Sequence, residues 1–172
     1  EALGVPALPA EGTAAPLAEG GFVRRLPGSG IEVDLVVPKA QAADRMDRLI
    51  APGVRPAGVW AYEAHRVSER RPRLGVDTDE RTIPHEVGWI GPAVHLDKGC
   101  YRGQETVARV HNLGKPPRML VLLHLDGDGD RPSPGDPLLA GGRTVGRLGT
   151  VVDHVDEGVI ALALVKRGLP AD

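Results

Sequence analysis

The stretch KGCYRGQE, residues 98–105, contains the single cysteine of the chain, Cys100. Lys98 lies two residues before this thiol, and Arg102 lies two residues after it. A helical pattern begins at Gln104, four residues after the cysteine. Positive charge and a helix N-terminus both favour thiolate over thiol, so Cys100 fits a nucleophile, a redox sensor or a soft-metal ligand. The alternative is a buried cysteine that acts as a small hydrophobic side chain. We name residues 98–105 the cysteine segment.

A second stretch, GVDTDERTIPHE at residues 75–86, places four carboxylates among turn-forming residues. Carboxylate pairs serve acid–base catalysis or bind hard cations. A single carboxylate can also accept two parallel hydrogen bonds from the ring N–H and amino group of a pterin. The alternative is a solvated loop with local capping bonds. We name residues 75–86 the acidic segment.

The residues before the acidic segment predict a hairpin and two helices. Strand-like residues 22–26 and 31–37 flank a turn at residues 27–30, and the second strand has one apolar face made of Ile31, Val33, Leu35 and Val37. Residues 1–21 are typical of a loop. One helix is predicted from the spacing of Ala42, Met46, Leu49 and Ile50. A second has Trp60, Ala64 and Val67 on one face and Glu63, Arg66 and Arg70 elsewhere.

The residues after the acidic segment predict one short helix and then strands. Gly103 is suited to cap a helix over residues 104–112. Short strands separated by glycine-rich turns follow at residues 119–125, 138–140, 144–152 and 159–165. This pattern is typical of a small β-barrel or sandwich, so we place a domain boundary near Pro117.

Composition argues against several classes of protein. The net charge is −2 and basic residues alternate with acidic ones, so we expect no direct nucleic-acid partner. No apolar run approaches the length of a membrane span, and the start lacks the plan of a signal peptide. We therefore expect no membrane association and a cytoplasmic location. Because the histidines lack ligand spacing and there is one cysteine, we expect no metal site and no iron–sulfur cluster held by this chain alone.

The cysteine segment, followed by VAR at residues 107–109, resembles the K-G-C-Y-x-G-Q-E signature of the YgfZ family. The acidic segment resembles the G-x-D-x-D-E-x-T-x-P-x-E stretch of relatives of glycine-cleavage T-protein. The likeness covers the chain from about Phe22 onward. It implies an α+β fold in which residues 1–117 form the later part of a T-protein-like folate-binding core, an antiparallel sheet with helices. Residues 118–172 would form a small C-terminal β-barrel.

The resemblance also implies a function and its residues. The protein would bind tetrahydrofolate and act as an accessory factor for the assembly or repair of iron–sulfur proteins, including tRNA-modifying enzymes. Glu86 matches the glutamate that holds the pterin, Arg118 matches a basic residue near the folate tail, and Lys98 and Cys100 match the signature lysine and thiol. The alternative is a folate-dependent aminomethyltransferase in which the thiol is structural. If the protein is an enzyme, we expect a one-carbon transferase of this kind.

Partners follow from the same resemblance. We expect folate, iron–sulfur client or assembly proteins, and an upstream part of the same protein, because the chain opens at Glu1 without methionine and family members are longer. The catalytic aspartate of T-protein belongs to that upstream part. A scaffold without a ligand is the third hypothesis.

Overall fold

The structure, a computed structural model, describes residues 3–28 and 30–168. The chain divides into two compact units, one ending at Ala57 and the other beginning at Gly58. The boundary that we predict near Pro117 falls inside the second unit and stays a prediction. Ser29, in the predicted turn at residues 27–30, lies outside the described residues.

The first unit contains a three-stranded antiparallel sheet, formed by β1 (Ala14–Pro16), β2 (Phe22–Arg25) and β3 (Val33–Val36) in that order. Pairing of β2 with β3 confirms the predicted hairpin. The prediction of a loop over residues 1–21 is wrong in part, because β1 lies there. Alanine and proline are weak strand formers, but an edge strand tolerates proline, and pairing with β2 supplies the missing stabilisation.

The core of the first unit consists of Val5, Leu17 and Val23, with partly buried side chains from β3 packed against them. Val33, Leu35 and Val37 contribute to this core as predicted, whereas Ile31 precedes β3 and is 73% exposed. The apolar face of β3 is therefore shorter than the sequence pattern indicates.

Helix α1 (Ala42–Ile50) is present as predicted, but its buried face is not the predicted one. Arg45 is its one buried residue, while Met46 and Ile50 are exposed. The Arg45 guanidinium donates to Glu19 at 3.1 Å. The long aliphatic stem of an arginine can replace an apolar side chain at a buried position when its charge is paired, which explains the difference.

The second unit contains two helices and four strands. The helices are α2 (Val59–Ser68) and α3 (Gln104–Leu113), and the strands are β4 (Arg118–His124), β5 (Pro137–Ala140), β6 (Arg143–His154) and β7 (Gly158–Lys166). A short 3-10 turn at Pro84–Val87 lies between the helices in sequence. The strands form one antiparallel sheet in the order β4-β7-β6-β5, which confirms all four predicted strands.

Strand β7 is buried on both faces of this sheet. On one face Ile160 and Leu162 pack against Ala64 and Val67 of α2. On the other face every clustered side chain comes from the strands or the residue next to them: Ala161, Ala163, Val165, Leu148, Val121, Leu123, Leu125, Leu138 and Val151. The fold is therefore mixed α and β with antiparallel sheets. The pairing order does not show closure into the barrel that the resemblance implies.

Across residues 3–28 and 30–168, none of the helices combines the length and the apolar composition that crossing a lipid bilayer requires.

Candidate functional site

Arg118, the first residue of β4, lies at the centre of a group of side chains that we name the Arg118 cluster: Asp79, Thr82, Glu86 and Arg118. Its Nε and Nη2 donate to the two carboxylate oxygens of Glu86, each at 2.9 Å. Its Nη1 and Nη2 donate to the two oxygens of Asp79, at 2.6 and 3.1 Å. The structure thus brings together Glu86 and Arg118, the two residues predicted to bind the cofactor.

Local hydrogen bonds that do not involve Arg118 hold both carboxylates in position. Glu86 lies in the 3-10 turn that Pro84 begins, and the backbone N–H of Ile83 donates to its Oε2 at 3.1 Å. In Asp79, Oδ1 accepts from the backbone N–H of Arg81 at 3.0 Å and from the hydroxyl of Thr82 at 2.9 Å. The cluster is therefore built from two preformed turns that one arginine of the sheet joins.

Burial differs sharply among the charged members of the cluster. The side chain of Glu86 is 1% exposed, that of Arg118 is 22% exposed and that of Asp79 is 32% exposed. Hydrogen bonds from Arg118 lower the pKa of Asp79 well below its usual range, and partial burial opposes this effect. Hydrogen bonds to Asp79 and Glu86 raise the pKa of Arg118. With both carboxylates ionised, the cluster has one more negative than positive charge.

The remaining hydrogen-bonding capacity of Glu86 decides what the cluster can bind. Oε2 already accepts from Arg118 and from the Ile83 N–H, while Oε1 accepts from Arg118. A carboxylate oxygen accepts about two hydrogen bonds, so one acceptor position is left, on Oε1. A ligand with two parallel donors can therefore use both oxygens of Glu86 only if Arg118 withdraws toward Asp79.

A cavity of about 480 Å³ opens beside the cluster on the Asp79 side. Thr78, Asp79, Glu80 and Arg147 supply its polar wall. Glu86 does not line this cavity. Asp79 is the member of the Arg118 cluster that lines the cavity, and Arg118 donates to this carboxylate at 2.6 Å.

A second group of buried charges fixes the acidic segment to the sheet. Arg66 of α2 donates to Asp77 at 2.9 Å, to Glu63 at 2.7 Å and to the hydroxyl of Thr150 at 2.8 Å. The side chain of Asp77 is fully buried and also accepts the backbone N–H of Thr150 at 2.6 Å. A Cβ at position 149 would lie 2.3 Å from Asp77 Oδ1, so Gly149 permits this approach. Asp77 thereby positions the chain two residues before Asp79.

These contacts correct the predicted faces of α2. Glu63 and Arg66 are buried with Ala64 and Val67, whereas Trp60 is 87% exposed. The prediction that the charged residues lie away from the buried face is therefore wrong for Glu63 and Arg66, whereas Arg70 is exposed as predicted. Their charges are neutralised within the fold by one another and by Asp77, so ion pairing replaces apolar contact at these positions.

The cysteine segment lies on the surface of the second unit. Cys100 is exposed, so its sulfur is not the small buried hydrophobe of the alternative interpretation. The Lys98 ammonium sits 4.7 Å from the centre of the Tyr101 ring, a cation–π contact that spans the cysteine. Gly103 takes a left-handed conformation with φ of 83° and precedes α3, as predicted. Within residues 3–28 and 30–168, neither Lys98 nor Cys100 forms a hydrogen bond or ion pair with the Arg118 cluster.

Asp79 and Thr82 are the members of the Arg118 cluster that the sequence analysis does not assign to the site. The D-x-x-T spacing of Asp79 and Thr82 is a signal for the turn that they form. No local pattern indicates that Arg118, 39 residues later, binds Asp79.

Among the described residues, no group of three or more histidine, cysteine, aspartate or glutamate side chains is placed to hold a metal ion.

Comparison with known proteins points to one superfamily. The chain is similar to the mitochondrial iron–sulfur cluster assembly factor IBA57 of Homo sapiens, with 32% identity over 130 residues, which cover 67% of this chain and 33% of the human protein. It is similar to the aminomethyltransferase of Synechococcus sp. (strain WH7803), with 33% identity over 96 residues, which cover 55% of this chain and 26% of that enzyme. A chloroplastic protein of Arabidopsis thaliana named as a transferase is 32% identical over 100 residues, 58% of this chain and 22% of its own length.

The matched part of the chain thus spans a third or less of each of these relatives. No protein-family model matches the chain. The relatives include both aminomethyltransferases and an iron–sulfur cluster assembly factor, which agrees with the resemblance of the acidic and cysteine segments. These similarities support a relationship to the T-protein-like superfamily.

Proposed function

We propose that this protein binds tetrahydrofolate and acts as an accessory factor in the assembly or repair of iron–sulfur proteins, including tRNA-modifying enzymes. Glu86 and Arg118 hold the folate, and Cys100 with Lys98 acts on the client or on an assembly partner. The single observation that carries the proposal is the exposed thiol of the YgfZ-like cysteine segment. Similarity to a protein named as an iron–sulfur cluster assembly factor supports the same class of function.

The geometry of the Arg118 cluster supports the folate part of the proposal. The excess negative charge and the free acceptor position on Glu86 Oε1 suit a neutral ring that presents N–H donors. When the pterin binds, Arg118 gives up its contact with Glu86 and keeps its contact with Asp79. Asp79 is already held by Thr82 and the Arg81 N–H, so it retains Arg118 without rearranging.

The thiol part of the proposal rests on accessibility and on the chemistry of sulfur. Thiolates are ligands for iron–sulfur clusters and nucleophiles toward disulfides and persulfides. One cysteine cannot hold a cluster alone, so any contact of Cys100 with a cluster is shared with a partner. Lys98 lies close to the sulfur in sequence and keeps its ammonium over Tyr101, which leaves the cysteine side chain open to a macromolecule.

Complementation tests this function directly. In a strain that lacks the gene, wild-type protein restores the activities of iron–sulfur enzymes, and Cys100→Ser does not. Lys98→Gln should likewise fail to restore them, whereas the matched control Lys115→Gln, which removes a lysine outside the cysteine segment, should restore them as wild type does. Full restoration by Cys100→Ser, at equal protein abundance, would exclude the thiol role.

A folate-dependent aminomethyltransferase is the second candidate function, because several of the similar proteins are named as aminomethyltransferases. Incubation with an aminomethylated lipoyl carrier and tetrahydrofolate separates the two candidates. Formation of methylenetetrahydrofolate that survives Cys100→Ser supports the transferase. Its absence excludes that function for the protein tested.

The division of the protein is part of the same proposal. Residues 1–117 belong to the folate-binding core, and residues 118–172 belong to a C-terminal barrel module. We also propose a cytoplasmic location. Support for this division comes from the four consecutive strands, β4 to β7, that follow α3 after Pro117. Limited proteolysis that cleaves near residues 114–117 and releases a folded C-terminal fragment would agree with it, and cleavage only near residue 57 would not.

A further inference from the structure

His85, next in sequence to Glu86, is a partly buried histidine whose ring has no hydrogen-bond partner among the described residues. Both of its ring nitrogens are closed to solvent, and among the described residues neither has a hydrogen-bond partner. A neutral imidazole has one donor and one acceptor, and buried polar groups in folded proteins are nearly always paired. An imidazole whose donor and acceptor are both closed to solvent and unpaired lowers the stability of the folded state.

The ring of His85 lies beside a second imidazole. His111, in the last turn of α3, has its ring centre 5.8 Å from that of His85, and the two planes are inclined by 37°. Burial lowers the pKa of His85, and the neighbouring His111 lowers it further. His85 is consequently neutral near pH 7, and a proton on it would be both desolvated and close to another ring that can take up positive charge.

Among the described residues, no carboxylate of the surrounding elements forms an ion pair with His85. The turn itself contributes Glu86, whose carboxylate is bound by Arg118 of β4. On α3 the charged or titratable residues are Glu105, Arg109 and His111, and of these His111 contacts the ring of His85. On β4 the other titratable residue, His124, faces Glu157 instead. In the part of the chain that the structure describes, neither His85 nor His111 is ion-paired to a carboxylate.

Helix α3 depends on this turn for its position. Val107 is the one buried residue of α3. The element that α3 packs against most is the Pro84–Val87 turn. The helix begins at Gln104, inside the cysteine segment, so movement of α3 carries that segment with it.

We propose that the His85–His111 contact is a pH-sensitive latch, which holds α3 and the cysteine segment against the turn that carries Glu86 and opens when His85 is protonated. In the released state the imidazole of His85 is in water and has the ordinary proton affinity of a histidine side chain. Acidification below about pH 6.5 therefore favours release, and the latch is closed at and above neutral pH. This goes beyond the proposed function, since the latch requires neither bound folate nor a reaction of the thiol.

Hydrogen–deuterium exchange of the whole chain at pH 7.5 and pH 5.0, corrected for intrinsic exchange rates, tests the latch. Below the ordinary imidazole pKa of about 6.5 the opening equilibrium rises by at most about tenfold per pH unit, so we expect α3 to lose protection at pH 5.0 relative to β7, by up to about 30-fold. His85→Phe keeps an aromatic ring without a titratable nitrogen and should abolish this loss. His124→Phe, at an exposed position, should behave as wild type.

A loss of protection that is equal in wild type and His85→Phe would overturn the proposal, as would a wild-type α3 that is indifferent to pH. If His85→Phe does not fold, NMR titration of the wild-type histidines decides. Titration of His85 below the ordinary imidazole pKa of about 6.5, in step with exchange in α3, supports the latch. Titration of His85 at or above that value refutes it.

Discussion

Arg118→Met is the substitution that most sharply tests the Arg118 cluster, because it removes the single cation that two carboxylates share. Methionine retains the approximate length of the aliphatic stem and lacks the guanidinium. Glu86, at 1% exposure, would lose its countercharge in a site that water barely reaches. Asp79, at 32% exposure, would retain hydration and its bonds from the Arg81 N–H and Thr82.

The expected loss of stability is dominated by Glu86. Removal of one partner of a buried ion pair costs about 3–5 kcal/mol. Because Arg118 itself is 22% exposed and Asp79 is partly hydrated, we expect the lower end of this range, about 3 kcal/mol. The loss should shrink at acid pH, since an orphaned buried carboxylate takes up a proton in place of the missing cation.

Urea denaturation followed by circular dichroism measures this loss, with Arg131→Met as the matched control. Arg131 also forms an ion pair, with Asp153 at 2.6 Å, but the side chains are 49% and 71% exposed. Exposed pairs contribute about 0–1 kcal/mol, so the control should stay within that range. If Arg118→Met lost no more stability than Arg131→Met, the cluster would not be the buried anchor described here.

Three further predictions follow from neighbouring features. Gly149→Ala places a methyl group 2.3 Å from Asp77 Oδ1 and should lower the free energy of unfolding by about 1–3 kcal/mol, as measured by chemical denaturation. Because Arg118 lowers the pKa of Asp79 below its ordinary value of 3.8, this carboxylate stabilises the protein above that pH, and the stabilisation is lost as acid titrates it. Asp79→Asn should therefore make stability less dependent on pH below about 4 in the same assay. Cys100→Ser, at an exposed position, should change stability by less than about 0.5 kcal/mol.

Each of these three has its own contradicting outcome. Gly149→Ala should be compared with Gly127→Ala, where a Cβ meets nothing within 4 Å, and equal stabilities would refute the close approach to Asp77. Parallel pH profiles of wild type and Asp79→Asn would show that Arg118 does not shift this carboxyl. A large thermal destabilisation by Cys100→Ser would indicate a structural thiol.

The secondary structure could be predicted well where local pattern determines it. The β2–β3 hairpin, the three helices and all four strands of the second unit follow from alternation, helical spacing and turn residues. β1 could not be predicted because its residues, Ala14–Pro16, have little strand preference of their own. They are held in a strand by pairing with β2, and the local sequence of β1 does not reveal that pairing.

Burial of charged residues was the main error of prediction. Arg45, Glu63 and Arg66 occupy inward positions because each has an ionic partner. Hydrophobic periodicity assigns such residues to solvent by default, and the partners lie between 3 and 26 residues away. The pairing becomes visible only when the tertiary contacts are known.

The candidate site could be predicted in its parts but not in its arrangement. Glu86 and Arg118 were selected from resemblance, and the structure places them in one ion pair. The sequence did not indicate that Asp79 shares Arg118, nor that His85 lies beside His111. Whether Cys100 and Glu86 act on one ligand stays a prediction.

Calorimetric titration with tetrahydrofolate measures whether the Arg118 cluster is a folate site. We expect saturable binding at one site, weakened in Glu86→Gln by about 1.5–3 kcal/mol, or roughly 10- to 150-fold in the dissociation constant. Glu105→Gln, which alters an exposed carboxylate, should bind as wild type does. Absence of saturable heat with wild-type protein, or an unchanged dissociation constant in folded Glu86→Gln, would show that Glu86 does not hold folate.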